Sequence, residues 1–115
     1  MSLTITKVPD CAAALGPGQF AQAFQLQPGT SDYPSGGYEI KATDLGLGSL
    51  YGAWKISANA AGTAYGLDFV QPSYPTTPQA QPELYAFVTS AGSQVGANTN
   101  LAACTWIVEF LAGAE

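Results

Sequence analysis

The side chains that could do chemistry in this 115-residue chain are few and scattered. The chain has eight carboxylates, three lysines and two cysteines, but no histidine and no arginine. Acid–base and nucleophilic catalysis near neutral pH usually recruit histidine, and no G-x-S-x-G elbow is present. Two carboxylates could serve as a glycosidase pair, but no spacing singles out any two of the eight. We therefore predict no catalytic residues and no enzymatic activity.

The same scarcity bears on metals and cofactors. Cys11 and Cys104, the only soft metal ligands, lie more than ninety positions apart, and the acidic residues are too dispersed for a calcium loop. In the segment Gly16-Pro17-Gly18, Pro17 removes one of the amides that a phosphate cradle needs. The sequence therefore predicts no metal and no cofactor. It leaves open whether Cys11 and Cys104 form a disulfide.

Charge is low throughout the chain. Charged residues make up 10% of it, against roughly 25% in a typical soluble domain, and the net charge is −5. No cation follows Lys55, which argues against nucleic-acid binding. No stretch approaches the ~18 apolar residues of a membrane span, and residues 1–20 lack the pattern of a signal peptide. We predict no nucleic acid partner, no membrane contact, and synthesis in the cytoplasm with reduced thiols.

Glycines and prolines divide the chain into short alternating or apolar runs, a pattern typical of an all-β domain. We predict a single domain over residues 1–115, with six or seven strands in a sandwich or small barrel. The predicted strands cover residues 3–8, 19–27, 38–40, 51–58, 65–69, 84–89 and 105–111. The runs 51–58 and 65–69 are predicted to form a hairpin. The proline-rich segment 71–83 is predicted to be a long surface loop.

Local signals refine these boundaries. Pro9 is predicted to end the first strand, because proline cannot donate to a sheet ladder. Residues 41–46 are predicted to form one helical turn, capped by Thr43 and ended by Gly46.

The strand period of two assigns faces to the tryptophans. It puts Trp54 and Trp106 on the apolar faces of their strands, so both are predicted to lie in the core. In the last strand, Ile107 and Leu111 share the opposite face with Glu109. Apolar residues on both faces predict that this strand is covered on both sides.

Three long segments contain no charge: Cys11 to Ser31, Phe69 to Pro82, and Leu84 to Val108. A free-standing soluble domain normally has about 25–35% charged residues on its surface. Neutral polar side chains are easier to desolvate than ions, and interface cores are poor in charge and rich in aromatic residues. The distribution therefore indicates a component of an assembly, packed against neighbouring molecules.

Residues 31–48 read SDYPSGGYEIKATDLGLG. This stretch resembles small structural proteins encoded beside the major capsid protein of tailed bacteriophages. In that family, Ser-Ser-Tyr-Pro-Thr-Gly-Gly is followed by a short strand, a Thr-Pro or Ala-Asp turn, and Leu-Gly-Leu. Residues 33–37 match the first part and residues 43–47 the second, and the N-terminal strand S-L-T-I-T-K-V is also similar. Between Cys11 and Gln19 the chain departs from the family, with an alanine- and glycine-rich piece in place of a polar or basic one.

The resemblance implies a head decoration, or cement, protein on the virion surface. Such a protein binds the outer surface of the major capsid protein lattice and stabilises the head, often as a trimer or dimer at lattice symmetry axes. We predict an all-β sandwich of jelly-roll type with a long proline-rich loop. We further predict that the loop residues Tyr33, Tyr74 and Thr76 contact the partner, and that the N-terminal strand serves as an exchanged or added edge.

Two alternatives remain open. A carbohydrate-binding β-sandwich would stack sugars on exposed tyrosine and tryptophan side chains, with Tyr33 and Tyr74 as candidates. A tail- or fibre-associated phage structural protein would share the phage setting and differ only in its location.

Overall fold

The computed structural model describes residues 3–16, 19–70 and 83–113, and within these ranges the side chains outside residues 9–16. The strands are β1 (Thr4–Gly16), β2 (Gln19–Gln27), β3 (Tyr38–Lys41), β4 (Ser49–Ala58), β5 (Gly66–Val70), β6 (Glu83–Ser90), β7 (Ser93–Gln94) and β8 (Trp106–Gly113). Short 3-10 turns span Ala42–Leu45 and Gly62–Ala64. No α-helix occurs in this part of the chain, and the prediction of an all-β protein is confirmed.

The strands form two antiparallel sheets. Sheet A has the order β1-β2-β8-β4, and sheet B has the order β3-β6-β5, with β7 also paired to β6. The chain crosses between the sheets repeatedly, because β2, β4 and β8 belong to sheet A whereas β3, β5 and β6 belong to sheet B. Strands that are far apart in sequence therefore lie side by side, as β2 and β8 do.

One hydrophobic core joins the inner sides of the two sheets. Every second side chain along β8 and β6 points into this core. The buried residues are Trp106, Val108, Phe110 and Ala112 of β8, and Leu84, Ala86 and Val88 of β6. The ring of Phe110 lies 5.6 Å from Phe24 in sheet A and 6.0 Å from Phe69 in sheet B, both in edge-to-face geometry. The predicted core position of Trp106 is confirmed, and its indole N–H donates to the Gly62 carbonyl at 3.1 Å.

The predicted hairpin between residues 51–58 and 65–69 is wrong. Strand β4 pairs with β8 in sheet A, whereas β5 pairs with β6 in sheet B. The side chain of Asn59 directs this crossing: its Oδ1 accepts from the amides of Gly62 at 2.8 Å and Thr105 at 3.1 Å, and its Nδ2 donates to the Ala103 carbonyl at 2.9 Å. These bonds tie the end of β4 to the segment before β8 instead of to β5.

The predicted burial of Trp54 is also wrong. The pairing of β4 with β8 is irregular between Leu50 and Gly52 and again between Lys55 and Ser57. A β-bulge shifts the side-chain alternation by one residue, so the face that strict alternation assigns to Trp54 is reversed. Its indole is 48% exposed. Lys55 instead takes the position opposite the buried Val108, and its ammonium donates to the Tyr65 carbonyl at 3.2 Å.

Two boundary predictions also fail. Strand β1 continues beyond Pro9, and its pairing with β2 is irregular between Lys7 and Ala12. Because β1 is an edge strand, it tolerates a proline there. Thr43 is not the cap of the 3-10 turn: Lys41 precedes the turn and no side chain caps it, whereas Gly46 ends it in the left-handed conformation as predicted, with φ 74°. The loop predicted over residues 71–83 falls almost entirely outside the described residues.

Candidate protein-docking face

The structure places the predicted contact residues differently from the sequence. Tyr33 is only 1% exposed, so the prediction that its side chain contacts a partner from the surface is corrected. Tyr74 and Thr76 lie outside the described residues. The predictions for Tyr74 and Thr76 therefore stay predictions, whereas Tyr33 offers no exposed surface to a partner.

Tyr33 belongs to the structural support of sheet B. Its hydroxyl accepts hydrogen bonds from the amide of Val88 at 3.1 Å and from the side chain of Gln94 at 2.8 Å. Its ring packs edge-to-face on Tyr38, with centroids 5.3 Å apart. Gly37 follows with φ 83°, and a Cβ there would lie 2.9 Å from the Ala86 carbonyl oxygen. The Tyr-Pro-Ser-Gly-Gly turn thus fastens its loop to β6.

The carbohydrate-binding alternative requires exposed tyrosine and tryptophan rings, and several of the described rings are buried. Tyr33, Tyr38 and Trp106 are each 1% exposed, so they offer no stacking surface. Trp54, on β4 of sheet A, is the large aromatic side chain that remains well exposed among the described residues.

The outer side of sheet A carries an apolar patch around β8. Strand β8 sends Ile107, Glu109 and Leu111 outward between its buried residues, and all three are half-buried. Glu109 lies between Trp54 and the buried Ala23, and Leu111 lies between Gly52 and the buried Ala21, whereas the neighbours of Ile107, Gln25 and Ser57, are polar. We call this surface the docking face: Ile107, Glu109 and Leu111 of β8, Trp54 of β4, and the exposed bulge residue Ile56 beside it.

The sequence predicts that β8 is covered on both sides. In the described part of the chain its inward side chains are buried in the core, whereas its outward side chains are only half-buried. The two residues that protrude most from the docking face, Trp54 and Ile56, are 48% and 50% exposed. Alternation in β8 already marked its outward residues in the sequence. The bulges of β4 leave no comparable signal in the sequence, so strict alternation predicts the wrong face for Trp54.

Charge lies mainly on the other sheet. Glu39 and Lys41 of β3 stand opposite Tyr85 and Glu83 of β6 on the outer side of sheet B, where Glu39, Lys41 and Glu83 line an open cleft. The hydrogen bond that protonated Glu83 donates to the neighbouring Glu39 carboxylate, together with desolvation and the Glu39 charge, raises the pKa of Glu83. The molecule thus has a charged outer side on sheet B and a nearly uncharged one on sheet A.

The carboxyl pair gives a first testable prediction. Replacing Glu39 with glutamine should lower the pKa of Glu83, because it removes the carboxylate that accepts a hydrogen bond from protonated Glu83 and repels its ionised form. The folded chain holds this proton to a higher pH than the unfolded chain, so the stability it adds at low pH is lost as the pH rises through the folded pKa. Carboxyl ¹³C NMR titration measures the shift. Glu109→Gln, on the other sheet, is the control, and an unchanged Glu83 titration in Glu39→Gln would contradict the pairing.

Other chemistry-bearing features are sparse in the described residues. No group of three or more histidine, cysteine or acidic side chains comes together there. Cys104 is a free, buried thiol, and burial raises its pKa. The side chain of Cys11 is outside the described set. Over the same described ranges, no helix is long and apolar enough to cross a membrane.

Comparison with known proteins found no match: no protein-family model, no curated protein and no solved structure was found to be similar to the chain. The phage resemblance of residues 31–48 therefore remains a prediction, and so does every function attached to it.

Proposed function

We propose that this chain is a structural virion protein, a non-enzymatic decoration protein that binds the outer surface of a phage capsid lattice and stabilises the head. The observation that carries this proposal is the docking face, where Trp54 and Ile56 protrude from a nearly uncharged sheet. The resemblance of residues 31–48 to phage decoration proteins supplies the kind of partner.

The composition of the docking face favours burial against another protein. Contiguous exposed apolar surface marks interaction sites on soluble proteins. Tryptophan is the residue most enriched among those that dominate binding energy, and it acts best where surrounding contacts exclude water. The isoleucine and leucine side chains near Trp54 lose no hydrogen bonds on desolvation, so they can form such a surround.

We also propose that the two sheets form a sandwich of jelly-roll type, and the strand order supports this. A jelly roll winds an antiparallel ribbon so that successive strands alternate between two sheets. Here β2 pairs with β8 in sheet A, and β3 pairs with β6 in sheet B, as the two ends of such a ribbon would. The next strands along the chain follow the same plan, because β4 pairs with β8 and β5 pairs with β6. A full jelly roll has two further strands between β5 and β6. We propose that β1 is an addition to this plan, at the edge beside β2.

We also propose that several copies act together at lattice symmetry axes, as trimers or dimers. Weak contacts repeated around an axis multiply into strong overall attachment. The edge strand β1 is the element that could be added to or exchanged with a neighbouring copy, because no described strand pairs with its outer edge.

The docking face gives a second testable prediction. The double variant Trp54→Ser/Ile56→Ser should bind about 100-fold more weakly to purified heads that lack this protein, because it removes the two most protruding apolar anchors. Both side chains are half-exposed, so folding should be little affected. The measurement is co-sedimentation of labelled protein with heads over a concentration series.

The matched control is Val70→Ser. Val70 is 41% exposed, but it stands on β5 in sheet B, away from the docking face, and this variant should bind as the unchanged protein does. Equal binding by the double variant would exclude the docking face. Binding to tails and not to heads, or binding to glycans that the loss of Trp54 abolishes, would replace the proposed function with one of the alternatives.

A further inference from the structure

A single ionisable group lies at the centre of the docking face. Glu109 stands in the middle of β8, directly opposite Ala23 on one side and Trp54 on the other. Two residues away along its own strand are Ile107 and Leu111, which face the same way. The carboxylate is therefore surrounded by apolar side chains on all four sides.

None of the three lysines is placed to neutralise Glu109. Lys55 takes the inward position opposite Val108 and donates to the Tyr65 carbonyl. Lys41 lies on sheet B beside Glu83. Lys7 is on β1, opposite Phe24 and separated from β8 by the whole of β2. Within the described side chains, Glu109 thus has no cationic partner.

We propose that Glu109 and Trp54 together form a socket for an arginine side chain of the partner protein. This inference rests on the proposed function, since it names the chemistry of what the docking face binds. Covering the face with the partner would desolvate Glu109, and a buried carboxylate without a cation is strongly unfavourable. A partner that brings a positive charge to this face offsets that cost.

The neighbouring indole selects arginine over lysine. Trp54 and Glu109 are cross-strand partners, so their side chains emerge about 5 Å apart. A guanidinium can pair with the carboxylate through two parallel hydrogen bonds while its plane stacks on the indole. An ammonium is a more strongly hydrated point charge and lacks this planar match.

A second copy of this chain does not fit the socket. The chain contains no arginine. If two copies met through their docking faces about a two-fold axis, one Glu109 would approach the other, and like charges in a desolvated interface are unfavourable. The occupant is a different protein with a protruding arginine, which agrees with attachment to a lattice built by another chain.

The first experiment compares Glu109→Gln with the unchanged protein for binding to heads that lack it. Loss of a charged hydrogen-bonding partner should weaken binding about 10- to 100-fold, and the binding that remains should depend less on salt. Glu39→Gln removes the same charge from sheet B and should have no effect on binding. Glutamine has nearly the shape of glutamate, so urea denaturation should show unchanged folding.

The second experiment tests the socket without heads. N-acetyl-arginine amide is titrated into the protein while the Trp54 indole N–H and the Glu109 carboxyl are followed by NMR. Both signals should shift saturably, N-acetyl-glutamine amide should shift neither, and Glu109→Gln should abolish the effect at Trp54.

The outcomes separate the two proposals. If the heads bind Glu109→Gln as tightly as the unchanged protein, the arginine socket is wrong and the decoration function stands. If the heads bind neither protein, the decoration function is wrong, and the arginine titration alone decides on the socket. Absence of saturable shifts with the arginine amide overturns the socket whatever the heads do.

Discussion

Replacing Phe110 with alanine is expected to lower the free energy of unfolding by about 3–5 kcal/mol. Phe110 is fully buried on β8, and its ring packs against Phe24 of sheet A and Phe69 of sheet B. Truncation would remove this apolar burial and leave a cavity lined by both sheets, which a close-packed interior fills only in part. Domains of this kind are stable by about 5–15 kcal/mol, so the loss is a large fraction of the total.

The measurement is urea denaturation followed by tryptophan fluorescence, because the buried Trp106 reports on loss of the core. The midpoint should fall while the slope with urea stays constant. Phe87→Ala is the matched control: this phenylalanine is half-buried on the outer side of sheet B, and its loss should be smaller, about 1 kcal/mol. Equal losses in the two variants would contradict a core shared between the sheets at Phe110.

The sequence predicts the strands of this fold better than their neighbours. Residues 19–27 match β2 in full, and the alternation of Trp106, Val108 and Phe110 gives the buried face of β8 correctly. Pairing is a different matter, because period-two patterns say nothing about which strand lies alongside. The chain leaves sheet A for sheet B at Asn59, where hydrogen bonds join Asn59 to Ala103 and Thr105, more than forty residues away. No local sequence pattern predicts these bonds.

The candidate site could be predicted only in part, for a related reason. The low charge of the segment ending at Val108 predicts a surface that is easy to desolvate, and Ile107 of the proposed docking face lies in that segment. The individual residues did not follow, because bulges in β4 reverse the face of Trp54, and a bulge is visible only when the partner strand is known. Glu109 becomes notable only when Ala23 and Trp54 are seen to flank it.

Replacing Tyr33 with alanine should destabilise the protein by about 3–5 kcal/mol, and replacing it with phenylalanine by about 1–3 kcal/mol. The alanine variant loses the ring that packs on Tyr38 and the hydroxyl as well. The phenylalanine variant keeps the ring but leaves the buried amide of Val88 without its acceptor. Urea denaturation separates the two contributions. Tyr85→Phe, which removes a hydroxyl from the outer side of sheet B, is the control and should change stability little.

The same variants decide what the Tyr-Pro-Ser-Gly-Gly turn is for. Pairing between β3 and β6 ends at Tyr38 and Ala86. Beyond this point the Tyr33 hydroxyl accepts the hydrogen bond of the Val88 amide in β6. If this is its role, Tyr33→Phe lowers stability while heads bind the folded variant as well as before. A contact role would give the reverse, weaker binding with unchanged stability. The first outcome would assign the Tyr-Pro-Ser-Gly-Gly turn to the stability of sheet B and would leave the docking face on sheet A, where Trp54 and Glu109 meet, as the proposed attachment surface.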